Sequence, residues 1–108
     1  LDQGLQIMPR SQKLTDQSGK AKALRFLCPG CNIDHVIYYE GHPSPHHNWA
    51  WNRDLEKPTI KPSIKVTGPN GPGTLCHSYV TDGQIKFLGD CTHALKDQTV
   101  DLPEVNDG

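Results

Sequence analysis

The chain has 108 residues, a formal net charge of −1, 34% apolar residues, few aromatics and many glycines and prolines. A single small domain is expected; such a chain buries only about two-thirds of its unfolded surface, which favours a covalent or metal staple. The charge balance excludes a general nucleic-acid binder, which needs a basic surface, and the lack of a run of about 18 apolar residues or of a signal-peptide pattern points to a cytoplasmic protein without a membrane span.

Residues 1–22 are polar and carry no sustained period, so a loosely held arm is expected, with Leu5, Ile7 and Met8 offering a short edge strand as the alternative. Residues 23–103 are expected to form one zinc-stapled β domain and residues 104–108 a frayed tail. Ala23-Leu24-Arg25-Phe26-Leu27 alternates weakly and leads into Cys28, and His35-Val36-Ile37-Tyr38-Tyr39 reads as the return strand. Between them, Cys28-Pro29-Gly30-Cys31 has the spacing of a zinc knuckle. Two disulfides would suit a secreted chain instead. A thioredoxin-like pair wants a helix start after its first cysteine, which Gly30 and Asn32-Ile33-Asp34 do not offer.

His42, His46 and His47 lie among Gly41, Pro43 and Pro45, and a surface loop is favoured there over a metal site. Trp49 and Trp51 alternate onto one face, which predicts core packing, with a peptide-binding platform as the second use. Pro58 and Pro62 exclude a helix and a central strand up to Pro62, and they present Ser63 rigidly at the start of a strand over Ile64-Lys65-Val66. Residues 68–73 form a turn-rich connector. Beyond His93, a bend over residues 94–98 precedes a last strand over residues 99–102.

Residues 75–93 are the most informative stretch. Asp82-Gly83 supplies the two positive-φ positions of a type I′ turn, and the flanking runs rich in Tyr, Val, Ile and Phe make a β-hairpin. Pairing Thr81 with Gln84 sets Val80 opposite Ile85, Tyr79 opposite Lys86, Ser78 opposite Phe87, His77 opposite Leu88 and Cys76 opposite Gly89. Side chains alternate between faces, so Cys76 and Cys91 become diagonal neighbours on one face and His77 and Asp90 on the other. One face suits a metal. Cys28, Cys31, Cys76 and Cys91 are the expected ligands of a structural zinc, with His93 as an alternative ligand and His77 as a further competitor. The other face suits an imidazole oriented by a carboxylate, with Ser63 as the candidate nucleophile. The rival reading makes His77 a zinc ligand and Asp90 a turn cap near Thr92.

Pro58-Thr59-Ile60-Lys61-Pro62-Ser63-Ile64, Cys76-His77-Ser78-Tyr79-Val80, Asp82-Gly83, Asp90-Cys91-Thr92-His93-Ala94-Leu95 and Gln98-Thr99-Val100 together resemble a family of short bacterial and phage proteins over about residues 25–103. Members of this type include the BubE serine peptidases of bacterial ubiquitin-like conjugation operons, in which a Pro-Ser-Ile segment precedes a cysteine and a nearby histidine, here Ser63, Cys76 and His77. The resemblance implies a serine peptidase acting on a ubiquitin-like protein or its conjugates, with Ser63 and His77 as catalytic residues; Asp90, placed beside His77 by the hairpin alternation and not by the resemblance, completes the expected catalytic set. A phage-encoded copy would meet a host protein as partner. The expected fold is mostly β: a small antiparallel-sheet domain with a zinc knuckle and little helix. Two other functions remain open. One is a non-catalytic zinc module that binds a host protein; the other is a zinc-dependent hydrolase with an open metal position.

Overall fold

Short runs of β-forming residues separated by Gly, Pro, Asn and Asp give a chain of strands, and the structure, a computed structural model, describes residues 8–105. Strands β1 (Gln12–Thr15), β2 (Lys22–Cys28) and β3 (Ile33–Glu40) form one antiparallel sheet in sequence order. Strands β4 (Ala50–Trp51), β5 (Ile60–Thr67), β6 (Leu75–Thr81), β7 (Gln84–Phe87) and β8 (Thr99–Asp101) form a second, also antiparallel and in sequence order. Among the described residues, helix is confined to a 3₁₀ turn at Pro45–His47. The mostly β fold is therefore the one expected.

The two sheets meet through their apolar faces. Leu24, Phe26 and Ile37 from the first sheet and Ile60, Ile64, Val80, Ile85 and Phe87 from the second are buried in one cluster, joined by Leu102. Full burial of each large side chain contributes about 1.5–3 kcal/mol. Trp49 and Trp51 pack against the rim of this cluster, in keeping with core packing as their main role.

Part of the stretch read as an arm is a strand. β1 pairs with β2 from Gln12↔Arg25 to Thr15↔Lys22, and the fully buried Ser11 donates its hydroxyl to the Leu55 carbonyl at 2.9 Å. Composition hides this strand because residues 13–15 at the sheet edge all face solvent. Leu5 and Ile7 lie outside the described residues. In the tail, the Val105 side chain is buried and its N–H donates to the Pro9 carbonyl at 2.8 Å.

The hairpin has the expected register: Thr81↔Gln84, Val80↔Ile85, Tyr79↔Lys86 and Ser78↔Phe87. Asp82 and Gly83 both have positive φ, 50° and 77°, as the turn requires. β5 departs from expectation, because it starts at Ile60 and includes Pro62. Its pairing with β6 passes from Ile60↔Val80 directly to Ile64↔Ser78, so Pro62 and Ser63 fall in a bulge where the missing proline N–H breaks no ladder bond. That bulge sets the position of Ser63.

Candidate functional site

β6 carries Cys76 and His77 side by side, and the pleat sends them to opposite faces of the five-stranded sheet. Cys76 points into the space between the sheets and is 1% exposed. There it meets Cys28 and Cys31 of the tight turn that ends β2, and His93 from the segment after β7. The ligand atoms of Cys28, Cys31, Cys76 and His93 all lie within 4.8 Å of one another. Cys28 Sγ is 3.9 Å from Cys76 Sγ, and Cys76 Sγ is 3.5 Å from His93 Nε2. These residues are close enough to hold one metal ion.

Local features aim each donor. The Cys31 N–H points at Cys28 Sγ at 3.4 Å, and the Asn32 N–H closes the turn on the Cys28 carbonyl at 2.8 Å. The Leu95 N–H meets His93 Nδ1 at 3.2 Å and leaves Nε2 facing the sulfurs. The His93 ring lies edge-on to Phe87, with centroids 4.4 Å apart, and covers Gly30 so closely that a Cβ there would fall 2.3 Å from His93 Cε1. The glycine of the Cys-Pro-Gly-Cys turn is thus the floor on which the fourth donor rests. The hydrogen bond with Cys76 holds the Cys28 thiol down to about 4 and pushes Cys76 up, while burial pushes Cys31 up to about 11.

Cys91 is not in this group. The expectation of four cysteines carried the hairpin alternation through residue 91, but β7 stops at Phe87 and the Cys91 N–H turns back to the Leu88 carbonyl at 3.2 Å. The turn breaks the period-2 pattern. Cys91 Sγ instead lies against the His77 backbone, 3.2 Å from its N–H and 3.2 Å from its carbonyl. The same turn carries His93 inward, which makes the alternative ligand the one the structure brings to the cluster.

On the outer face, His77 Nε2 is 3.0 Å from Ser63 Oγ and His77 Nδ1 is 3.1 Å from Asp90 Oδ2. The His77 side chain is 23% exposed and that of Asp90 45%. Ser63, His77 and Asp90 come together as expected, and His77 is directed away from the cysteines. The hydroxyl-to-imidazole and imidazole-to-carboxylate contacts have the geometry that proton transfer from a serine hydroxyl requires. The Trp49 indole N–H donates to the Ser63 carbonyl at 3.2 Å and fixes the backbone of the bulge. A shallow cavity of about 370 Å³, lined by Tyr79, Lys86 and Thr99 among others, lies one pleat repeat from His77 along β6.

Two residues near these sites escaped the sequence reading. His35, read only as part of a strand, is 4% exposed and helps to lower the Cys28 thiol; its Nε2 is buried without a hydrogen-bond partner. A histidine at an inward position of a strand leaving a cysteine knuckle is the signal that would have found it. The alternation of Trp49 and Trp51 predicts packing, and no residue pattern points to the bond between the Trp49 indole N–H and the Ser63 carbonyl. Among the described residues the metal-type cluster holds none of His42, His46 and His47. His42 instead lies against Tyr38 and His47, with ring centroids 4.8 and 5.1 Å away.

Comparison with protein families matches residues 3–88 to the model described as bacterial ubiquitination-like system serine protease (BubE). Comparisons with curated proteins and with solved structures return no match.

Proposed function

The chain belongs to the family of bacterial ubiquitination-like system serine proteases, and from that premise we propose that it is a serine peptidase acting near the C-terminus of a ubiquitin-like protein or on its conjugates. The observation that carries the reading is the alignment of Ser63, His77 and Asp90 on the open face of the sheet. Ser63 Oγ attacks the scissile carbonyl carbon as its proton passes to His77 Nε2, and Asp90 holds the Nδ1 proton and stabilises the imidazolium. His77 then protonates the departing amine. Water, losing its proton to His77, releases the acyl group from Ser63. The cavity beside Tyr79 and Lys86 offers room for a substrate side chain on the same face.

Zinc is the proposed metal and its role is structural. Tetrahedral zinc with bonds of about 2.3 Å to sulfur and 2.0–2.1 Å to nitrogen sets S···S at about 3.8 Å and S···N at about 3.6 Å. The observed 3.9 and 3.5 Å fit that ion. Cys28, Cys31, Cys76 and His93 would fill all its positions, leaving none for a reacting water, and the ion would pin the β2 knuckle to the second sheet.

The test is reaction with a fluorophosphonate probe, comparing wild type with Ser63→Ala and His77→Ala and weighing the bound metal by native mass spectrometry. Wild type is expected to label and both variants to lose labelling while keeping fold and metal. Full turnover of a ubiquitin-like fusion by Ser63→Ala would sink the reading, and loss of metal from His77→Ala would make His77 a ligand. A Ser63→Ala protein that still binds a partner, beside a wild type that cleaves nothing, would favour the non-catalytic module.

A further inference from the structure

β4 covers β5 only at Ile60 and Lys61, and the chain then leaves toward Trp49, whose N–H donates to the Tyr38 carbonyl at 2.7 Å. From Ser63 onward no strand among the described residues pairs with the outer side of β5. The direction of its backbone groups follows from its partner. His77 gives its carbonyl to the Leu88 N–H and its N–H to Cys91 Sγ, and Leu75 gives its carbonyl to the Thr92 N–H. Both residues therefore spend their peptide groups on the side away from β5. In an antiparallel ladder this makes Lys65↔His77 and Thr67↔Leu75 non-hydrogen-bonded pairs, so the N–H and C=O of Lys65 and Thr67 point outward. The Ser63 carbonyl points the same way, toward the Trp49 indole, as the period of two requires. Those groups of Lys65 and Thr67 take no hydrogen bond among the described residues.

We infer that this open edge, running from the nucleophile through Lys65 to Thr67, is the substrate-binding strand of the site: an extended segment of the substrate polypeptide pairs with it as an added strand and ends with its scissile carbonyl beside Ser63. The inference rests on the serine-peptidase reading and names how that site holds its substrate. Main-chain bonds to an exposed edge give affinity for unfolded, extended chain over folded surface, which selects a tail. Trp49 blocks the edge on the other side of Ser63 and sets the end of the paired segment. The exposed Lys61 and Lys65 flank the serine, so the paired segment carries acidic side chains.

The test uses two phosphonates with the same reactive group, one on a short alkyl chain and one on an acidic four-residue peptide, and reads the rate of Ser63 modification by mass. Wild type is expected to react at least about 10-fold faster with the peptidyl probe. Methylation of the probe amides that face the edge is expected to remove most of that gain. Lys65→Pro deletes an outward N–H without breaking a β5–β6 bond; it is expected to lose the gain while keeping its alkyl rate within about 2-fold. Unchanged peptidyl rates in both cases, or an equal fall of both rates in a folded variant, would overturn the edge assignment. So would a wild-type dimer in light scattering that Lys65→Pro dissociates, since the edge would then pair copies of the chain. If the alkyl probe leaves Ser63 of wild type unmodified while the metal is bound, the peptidase reading itself fails, and the inference with it.

Discussion

Cys76 and His77 are neighbours in sequence, yet one belongs to a buried cluster that joins two sheets and the other to a half-open site built within one sheet. The metal-type cluster draws Cys28 and Cys31 from the end of β2 and Cys76 and His93 from the second sheet, so it closes long stretches of chain. Ser63, His77 and Asp90 lie on or just beyond strands that already pair. On the proposed reading the inner face contributes chiefly to stability, and the outer face adds chemistry to a frame that stands without it. The pleat keeps the two roles apart by one residue.

Breaking the inner face should have the largest effect. Cys76→Ser, Cys28→Ser or exhaustive chelation is expected to unfold the chain, because structural zinc contributes about 10–16 kcal/mol in small zinc-dependent folds, against a typical domain stability of about 5–15 kcal/mol. Circular dichroism with and without chelator measures this. A fold that survives with its melting temperature unchanged would make the cluster a thiol core and not a metal staple. Ser63→Ala is the matching cut on the outer face. Turnover is expected to fall by about 10⁴-fold or more, while stability moves by no more than about 1 kcal/mol, since one hydrogen bond to His77 is lost.

The next two variants test each face at its supporting residue. Gly30→Ala puts a methyl where the His93 ring lies, so the ring must shift from its place beside the sulfurs; metal affinity is expected to drop about 10–100-fold in a chelator competition, with Cys28 and Cys31 still present. Retained affinity would mean that His93 is not a ligand. Asp90→Asn is expected to cost about 10²–10⁴-fold in turnover with metal and fold intact. The lower end follows from the 45% exposure of the aspartate, which lets water share in solvating the imidazolium.

The sequence revealed most where local rules operate. Asp82-Gly83 set the turn, the turn set the register, and alternation then put His77 on one face and Cys76 on the other. It failed at Cys91, because the reversal after Leu88 depends on a backbone bond to the Leu88 carbonyl that no residue pattern announces. Pro62 misled in the same way: proline in a paired strand is excluded by the ladder rule, and the bulge that admits it shows only in the pairing with β6. β1 was hidden because a polar edge strand looks like a tail until its neighbour is known.

The smallest expected effect concerns the residue that ties the first sheet to Ser63. The Trp49 backbone N–H is tied to β3 through the Tyr38 carbonyl, and its indole N–H donates to the Ser63 carbonyl. Trp49→Phe keeps the apolar body against the core and removes only the indole donor. A partly buried hydrogen bond of this kind is worth about 1 kcal/mol, so turnover is expected to fall about 3–10-fold through looser placement of Ser63, with the melting temperature nearly unchanged. A fall in kcat with KM preserved would locate the loss in the aim of the nucleophile. If Trp49→Phe lowered the melting temperature and metal retention as much as activity, the two faces would share one mechanical support, and the separation of stability from chemistry at Cys76 and His77 would hold only along β6.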